Sequence, residues 1–309
     1  MQLFSELGYL TPTAPFDFAK SLQFLGLFMP MQNEQELSSQ SLTKAVCIAG
    51  QTIGFQVTAI GTVEEPKLEY TLFSAQPIAP SIKNAVIDRI SFFLSLTDEL
   101  QPFYQVAAKD PHFLPILEQL YGYHQVKFLT PFENACWAVL SQRTPLNTAR
   151  KMKQAIVEKL GSCLTVQGSI YWAFPESAQL AVVDTDELVN LIRNKRKAEY
   201  LSAVARAFQE VDEEFLRTAD YEKVEAWLRK IVGIGTWSAA FILLRGLGRM
   251  EHVPLIEKKL VEVVSQVYGQ GETMTHVAIQ SIAQRYGACL GYWAHYLRFV
   301  SCFAVKPMV

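Results

Sequence analysis

The stretch Leu228-Arg229-Lys230-Ile231-Val232-Gly233-Ile234-Gly235-Thr236-Trp237-Ser238-Ala239-Ala240-Phe241 constrains this chain more than any other. Two glycines one residue apart, with periodic apolar residues on both sides, predict two short helices joined by a tight hairpin. Gly233 and Gly235 are expected to tolerate positive φ and to let another backbone approach closely. Such a turn leaves amides free at the start of the second helix, and free amides at a helix N-terminus attract phosphate. Read alone, Gly-x-Gly is more often a plain helix-to-helix turn than a phosphate site. An apolar helix follows, then Val253-Pro254-Leu255-Ile256-Glu257.

Length and composition set the scale. With 309 residues, 50% of them hydrophobic, the chain can bury a large core in two or three lobes. A formal charge of −2 gives no general pull on nucleic acid, so any DNA surface must be a local basic patch. The start of the chain lacks the pattern of a signal peptide and no apolar run reaches membrane-spanning length, which predicts a soluble cytoplasmic protein with no membrane partner. Cys47, Cys136, Cys163, Cys289 and Cys302 fit no zinc or iron–sulfur spacing and read as reduced, mostly buried thiols.

Residues 15–75 show β-rich alternation. Phe16-Asp17-Phe18 leads into an apolar run to Phe28, and the segments 45–49, 54–60 and 67–73 read as successive strands of an antiparallel meander. After Pro77 and Pro80 the period becomes helical, with Ala85, Ile87, Ile90, Phe93 and Leu94 on one face. From Leu100 onward no strand is predicted. Helices are expected over 131–140, 147–160, 177–182, 185–192, 196–211, 221–231, 258–268 and about 283–303, with Lys151, Lys153 and Lys159 on a solvated face of the second. The fold class is therefore α+β: an antiparallel sheet and helix domain over 1–105, then an all-helical region over 106–309 with a helix-hairpin-helix at 221–248.

Leu-x-x-Ile-x-Gly-Ile-Gly-x-Trp-Ser-Ala, a helix, then Val-Pro and an acidic residue resembles the helix-hairpin-helix (HhH-GPD) DNA glycosylases, and the whole order resembles their 3-methyladenine DNA glycosylase II branch. Further matches are Leu10-Thr11-Pro12 with Pro15-Phe16-Asp17-Phe18, Pro131-Phe132-Glu133 with Trp137-Ala138-Val139-Leu140-Ser141-Gln142, Phe174-Pro175-Glu176, and Arg196-Lys197-Ala198-Glu199-Tyr200.

The resemblance implies double-stranded DNA carrying damaged bases as the partner, a monomer, no iron–sulfur cluster and no required cofactor. It implies that the nucleotide is flipped out and a protein side chain fills the gap. Gln142 and Arg143 stand at that position, although Arg143 also reads as a surface arginine ending a helix. Gly233, Gly235 and Thr236 would meet DNA at the hairpin, and the main-chain carbonyls of Arg229, Ile231 and Ile234 would hold Na⁺ or K⁺. Trp237, Phe241 and Tyr286 would wall the base pocket, where π faces attract a cationic alkylated purine. Without the resemblance, Trp237 and Phe241 read as core.

Glu257 takes the place of the family's catalytic aspartate and is expected in the first turn of its helix. It is one methylene longer, and an uncompensated shift of about 1 Å would cost about a hundredfold. Bifunctional relatives carry a Schiff-base lysine where Trp237 stands, so no lyase step is expected. Leu290 replaces a usual arginine, which bears on a contact that positions the catalytic loop or DNA. Two functions follow: a monofunctional glycosylase for alkylated or deaminated purines, or a damaged-DNA-binding protein on the same scaffold with weakened or no activity. A helical protein-interaction module with an incidental hairpin is a third.

Overall fold

The computed structural model describes residues 3–32, 34–255 and 257–303, without the side chains of Cys302 and Phe303. The chain opens with strand β1 (Phe4–Leu10) and helix α1 (Phe18–Leu27). The run from Phe16 to Phe28 is therefore helical, not part of the strand pattern. The Asp17 carboxylate accepts from the amides of Ala19 and Lys20 and starts the helix, and Phe18, Leu22 and Leu25 recur at helical spacing on its buried side.

A short β2 (Glu36–Leu37) precedes the predicted strands, which appear as β3 (Ser41–Ile48), β4 (Gln51–Ala59) and β5 (Leu68–Ser74). The antiparallel sheet has the order β1-β5-β4-β3-β2. Its central hairpin closes on Ala49 and Gly50, with φ of 50° and 77°, the left-handed pair that matches strand twist. Helix α2 (Pro80–Phe93) buries Val86, Ile90 and Phe93.

Next come α3 (Gln101–Ala107), α4 (Leu114–Gln119), α5 (Pro131–Ser141) and α6 (Leu146–Leu160). Lys153 of α6 is not on a solvated face: it is 1% exposed, and its Nζ lies 2.6 Å from Glu133 and 2.5 Å from Glu34. Burial alone would push its pKa down; the two carboxylates outweigh that and hold it above the usual lysine value.

The expectation of no strand after Leu100 is overturned by the hairpin β6 (Ser162–Val166) and β7 (Ser169–Ala173). It lies on the N-terminal sheet, burying Leu164, Val166, Tyr171 and Ala173 against Ala45 and Cys47. Gly54 permits this approach, since a Cβ there would sit 3.2 Å from both Leu164 and Val166.

The remaining helices are α7 (Ser177–Ala181), α8 (Thr185–Ile192), α9 (Lys195–Glu210), α10 (Glu213–Thr218), α11 (Tyr221–Lys230), α12 (Thr236–Phe241), α13 (Lys258–Tyr268), α14 (His276–Gln284) and α15 (Leu290–Phe303). A π-helical turn, Ile242–Gly246, continues α12. The predicted last helix is thus two, divided at Gly287, whose φ is 50°. Leu290 begins α15 and is half-buried.

One continuous core runs from Phe16 to Phe299. Within it α1 meets α15: the Phe24 ring lies 5.5 Å from His295 and 5.4 Å from Phe299. Cys47 and Cys136 are buried, Cys289 half-buried and Cys163 exposed, all as free thiols; the Cys302 side chain lies outside the described residues. Among the described residues no helix is long and apolar enough to cross a membrane.

Candidate functional site

The hairpin is anchored by Leu228, Ile231 and Ile234, all buried, while Val232 between them is 63% exposed. Gly233 has φ of 95°, and a Cβ there would come within 2.3 Å of the Tyr200 ring, so both conformation and space require glycine. Gly235 differs from the sequence expectation. Its φ of −91° is open to any residue, and no atom of the described chain lies within 4 Å of a Cβ built there. Gly235 and Thr236 are exposed and no side chain caps α12, so among the described residues the amides that open the helix have no side-chain acceptor.

Gln142 and Arg143 follow α5 directly. The Gln142 Nε2 donates to the Gly233 carbonyl at 2.7 Å and to Ser238 Oγ at 3.0 Å. These bonds fix the α5 loop to the hairpin, and Gln142 also lines the open cleft beside Arg143. Arg143 is exposed and sits at φ 49°, a left-handed conformation that is disfavoured for a residue with a Cβ. Lys197 of α9 closes the end of α5, its Nζ donating to the carbonyls of Val139, Leu140 and Gln142 at 2.8, 2.7 and 2.9 Å. The resulting open cleft of about 790 Å³ is lined by Gln142, Arg143, Arg196, Tyr200, Gly235 and Trp237, among others.

Beyond Trp237 lies a second, more enclosed cavity of about 240 Å³. Trp237 is 50% exposed and stacks on Phe241, with ring centroids 5.3 Å apart and 12° between planes. Phe24, Phe28 and Phe299 line other walls, and Glu257 borders the same space. Glu257 is the residue before α13 rather than part of its first turn. Its Oε2 accepts from Arg298 Nε at 3.0 Å and from Arg298 Nη2 at 2.5 Å. Ile256 lies outside the described residues.

Tyr286 does not line this cavity. It is 2% exposed, packs on Phe103, Phe113 and Trp293, and donates to Asp110 Oδ2 at 3.0 Å. Burial, with the Asp110 and Tyr268 contacts, pushes its phenol far above the usual tyrosine pKa. The aromatic positions expected of Tyr286 are taken by Phe24 and Phe28 at the end of the N-terminal α1 segment, and by Phe299 of α15.

The profile of the HhH-GPD superfamily base excision DNA repair proteins matches residues 136–288. Over that segment the chain belongs to the HhH-GPD superfamily. A DNA-3-methyladenine glycosylase of Bacillus subtilis (strain 168) is 26% identical over 277 residues, covering 88% of this chain and 91% of that protein. The 3-methyladenine DNA glycosylase structure from Archaeoglobus fulgidus superposes with a TM-score of 0.79 at 19% identity, covering 98% and 100% of the two chains. The 8-oxoguanine glycosylase/lyase of Clostridium acetobutylicum, solved with double-stranded DNA, gives a TM-score of 0.62 at 16% identity, covering 88% of this chain and 98% of that one.

The HhH-GPD segment contains the hairpin and Glu257, but Phe24, Phe28, His295 and Arg298 lie outside it. Sequence reading also missed Arg245, inside the segment. Its signal was a single charge in the apolar run Phe241-Ile242-Leu243-Leu244-Arg245-Gly246, since arginine is seldom buried without a partner. Arg245 is 7% exposed, and its guanidinium carbon lies 4.9 Å from the Phe24 ring centre and 4.8 Å from that of Phe28. Nη1 faces His295 Nδ1 at 3.2 Å, and His295 Nε2 faces the Tyr123 hydroxyl at 2.9 Å. Burial first, then the Arg245 and Arg298 charges, drive the His295 pKa well below its usual value, so the ring is neutral and Nδ1 accepts from Arg245.

Proposed function

We propose that this chain is a monofunctional DNA glycosylase of base excision repair acting on flipped alkylated or deaminated purines. The observation that carries the reading is that Glu257 and the stacked Trp237 and Phe241 line one cavity, with both aromatic rings on the helix that the hairpin opens. Amides at a helix start bind a DNA phosphate, Arg143 fills the space left by the extruded nucleotide, and the base enters between aromatic walls. The C1′–N bond then breaks with its electron pair leaving on the base. Positive charge develops on the sugar, where the ionised Glu257 stabilises it; water adds at C1′ and gives up a proton.

Trp237 supplies no amine for a Schiff base, and Lys258 and Lys259 are exposed rather than turned into the cavity. The carbonyls of Arg229, Ile231 and Ile234 would hold Na⁺ or K⁺ between hairpin and phosphate. The Ile231 carbonyl accepts from the Ile234 amide at 3.0 Å and keeps its second lone pair for such an ion.

A specific observation favours the second reading, a binder with weakened activity: Arg298 neutralises much of the field that Glu257 would exert on the sugar. Base release separates the two. Duplexes carrying 3-methyladenine, hypoxanthine or ethenoadenine are incubated with excess protein, and freed base and strand breaks are measured. A glycosylase releases base from at least one duplex and leaves the abasic strand uncut. Salt-dependent binding with no release supports the binder.

A further inference from the structure

The cavity holds a charge that the mechanism above does not use. Arg245 lines it, is almost fully buried, and has no carboxylate within ion-pair distance among the described residues. Its Nη2 is buried and has no hydrogen-bond partner among the described residues. Burial pushes its pKa down to about 10, so the guanidinium remains charged at neutral pH. A buried donor left without an acceptor is costly, and sites that keep one are commonly completed by a ligand.

The rest of the lining sharpens the point. Among the described residues that line it, Glu257 is paired with Arg298 and His295 is neutral, so the charge without a carboxylate partner is that of Arg245. The guanidinium also lies beside the Phe24 and Phe28 rings, so a cationic purine placed against either ring would meet a like charge.

We propose that Arg245 selects the flipped base, donating from Nη2 to an acceptor atom of a neutral, carbonyl-bearing purine and disfavouring a base that already carries positive charge. This rests on the glycosylase reading of the cavity. When a neutral base departs, the electron pair of the C1′–N bond makes it anionic until it takes up a proton from solvent, and a buried cation stabilises that charge as it develops. A cationic alkylated base departs neutral, gains nothing from Arg245, and must enter against it.

The test compares duplexes holding one hypoxanthine, one 7-methylguanine or no modified base. Dissociation constants and single-turnover base release are measured for the parent, Arg245→Met and Arg245→Lys. The parent should favour hypoxanthine over 7-methylguanine in release rate divided by dissociation constant. In Arg245→Met that preference should fall by about tenfold to a hundredfold, the range for a hydrogen bond from a charged group. Arg245→Lys keeps the cation and should keep the direction of the preference. Unmodified duplex should bind all three proteins alike, which reports an intact hairpin and fold.

A preference unchanged in Arg245→Met, or a parent that favours 7-methylguanine, overturns the proposal. If no duplex releases base, the glycosylase reading fails separately, and the Arg245 assignment is judged on the ratio of the two modified-duplex dissociation constants. If Arg245→Met does not fold, the same ratio in Arg245→Lys against the parent decides: reversal contradicts the proposal.

Discussion

Two glycines one residue apart have different jobs. Gly233 is demanded by its own chain, through positive φ and the Tyr200 ring, so Gly233→Ala should lower stability by about 1–3 kcal/mol in urea unfolding. Gly235 is demanded by nothing among the described residues. Gly235→Asp should leave the unfolding midpoint in place while weakening duplex affinity at least about tenfold, because it sets a negative charge before amides that would meet phosphate. A variant that unfolds more easily, or binds as the parent does, contradicts this. Gly233 was legible because its meaning lies in short-range spacing; Trp237 and Glu257 were picked out by resemblance, and the structure places both on the lining of one cavity. Arg245, His295 and Arg298 were not, because their environment is assembled from α1, the π turn and α15, far apart in sequence. Gln142 was picked out by position, yet its amide binds the hairpin, which no local pattern discloses.

At the scale of elements, the loop carrying Arg143 depends on α9. Lys197 is the buried cap for three carbonyls at the end of α5, and burial alone holds its pKa below the usual lysine value. Lys197→Met should cost about 2–4 kcal/mol, the scale for orphaning buried acceptors of a charged donor, and should weaken duplex binding as the Arg143 turn loosens. Unchanged stability in urea unfolding would count against that role. The same scale shows where sequence reading ran out. Helices α8 and α13 have the limits that their apolar period gave. The β6–β7 hairpin was missed because its five-residue strands show only a brief alternation and are held by distant partners, including Gly54 and the Thr52 to Ser162 hydroxyl bond at 2.6 Å. Lys153 looked like a solvated lysine because its carboxylate partners, Glu34 and Glu133, come from two other segments.

Across the whole molecule, two buried histidines couple stability to pH. Burial is the largest cause in both His124 and His295, and it lowers both pKa values below the ordinary histidine range. The unfolded chain takes up those protons near the ordinary value of about 6.5 while the folded chain does not. The stability from the neutral rings is therefore fully present above that pH and is lost as pH falls below it, by up to about 1.4 kcal/mol per unit for each ring. Between about pH 7 and about pH 5.5, His295→Gln should flatten this dependence by about one proton in urea titrations. An identical slope in parent and variant would contradict it.

The formal charge of −2 leaves the proposed DNA affinity to the local surface around Arg143, Arg196 and the hairpin, while the proposed bond cleavage rests on the separate carboxylate of Glu257. The most direct measurement is single-turnover base release by Glu257→Gln beside its duplex affinity. The account predicts release reduced about a hundredfold or more, with affinity kept within about threefold of the parent. Release by the glutamine variant at the parent's rate would contradict it.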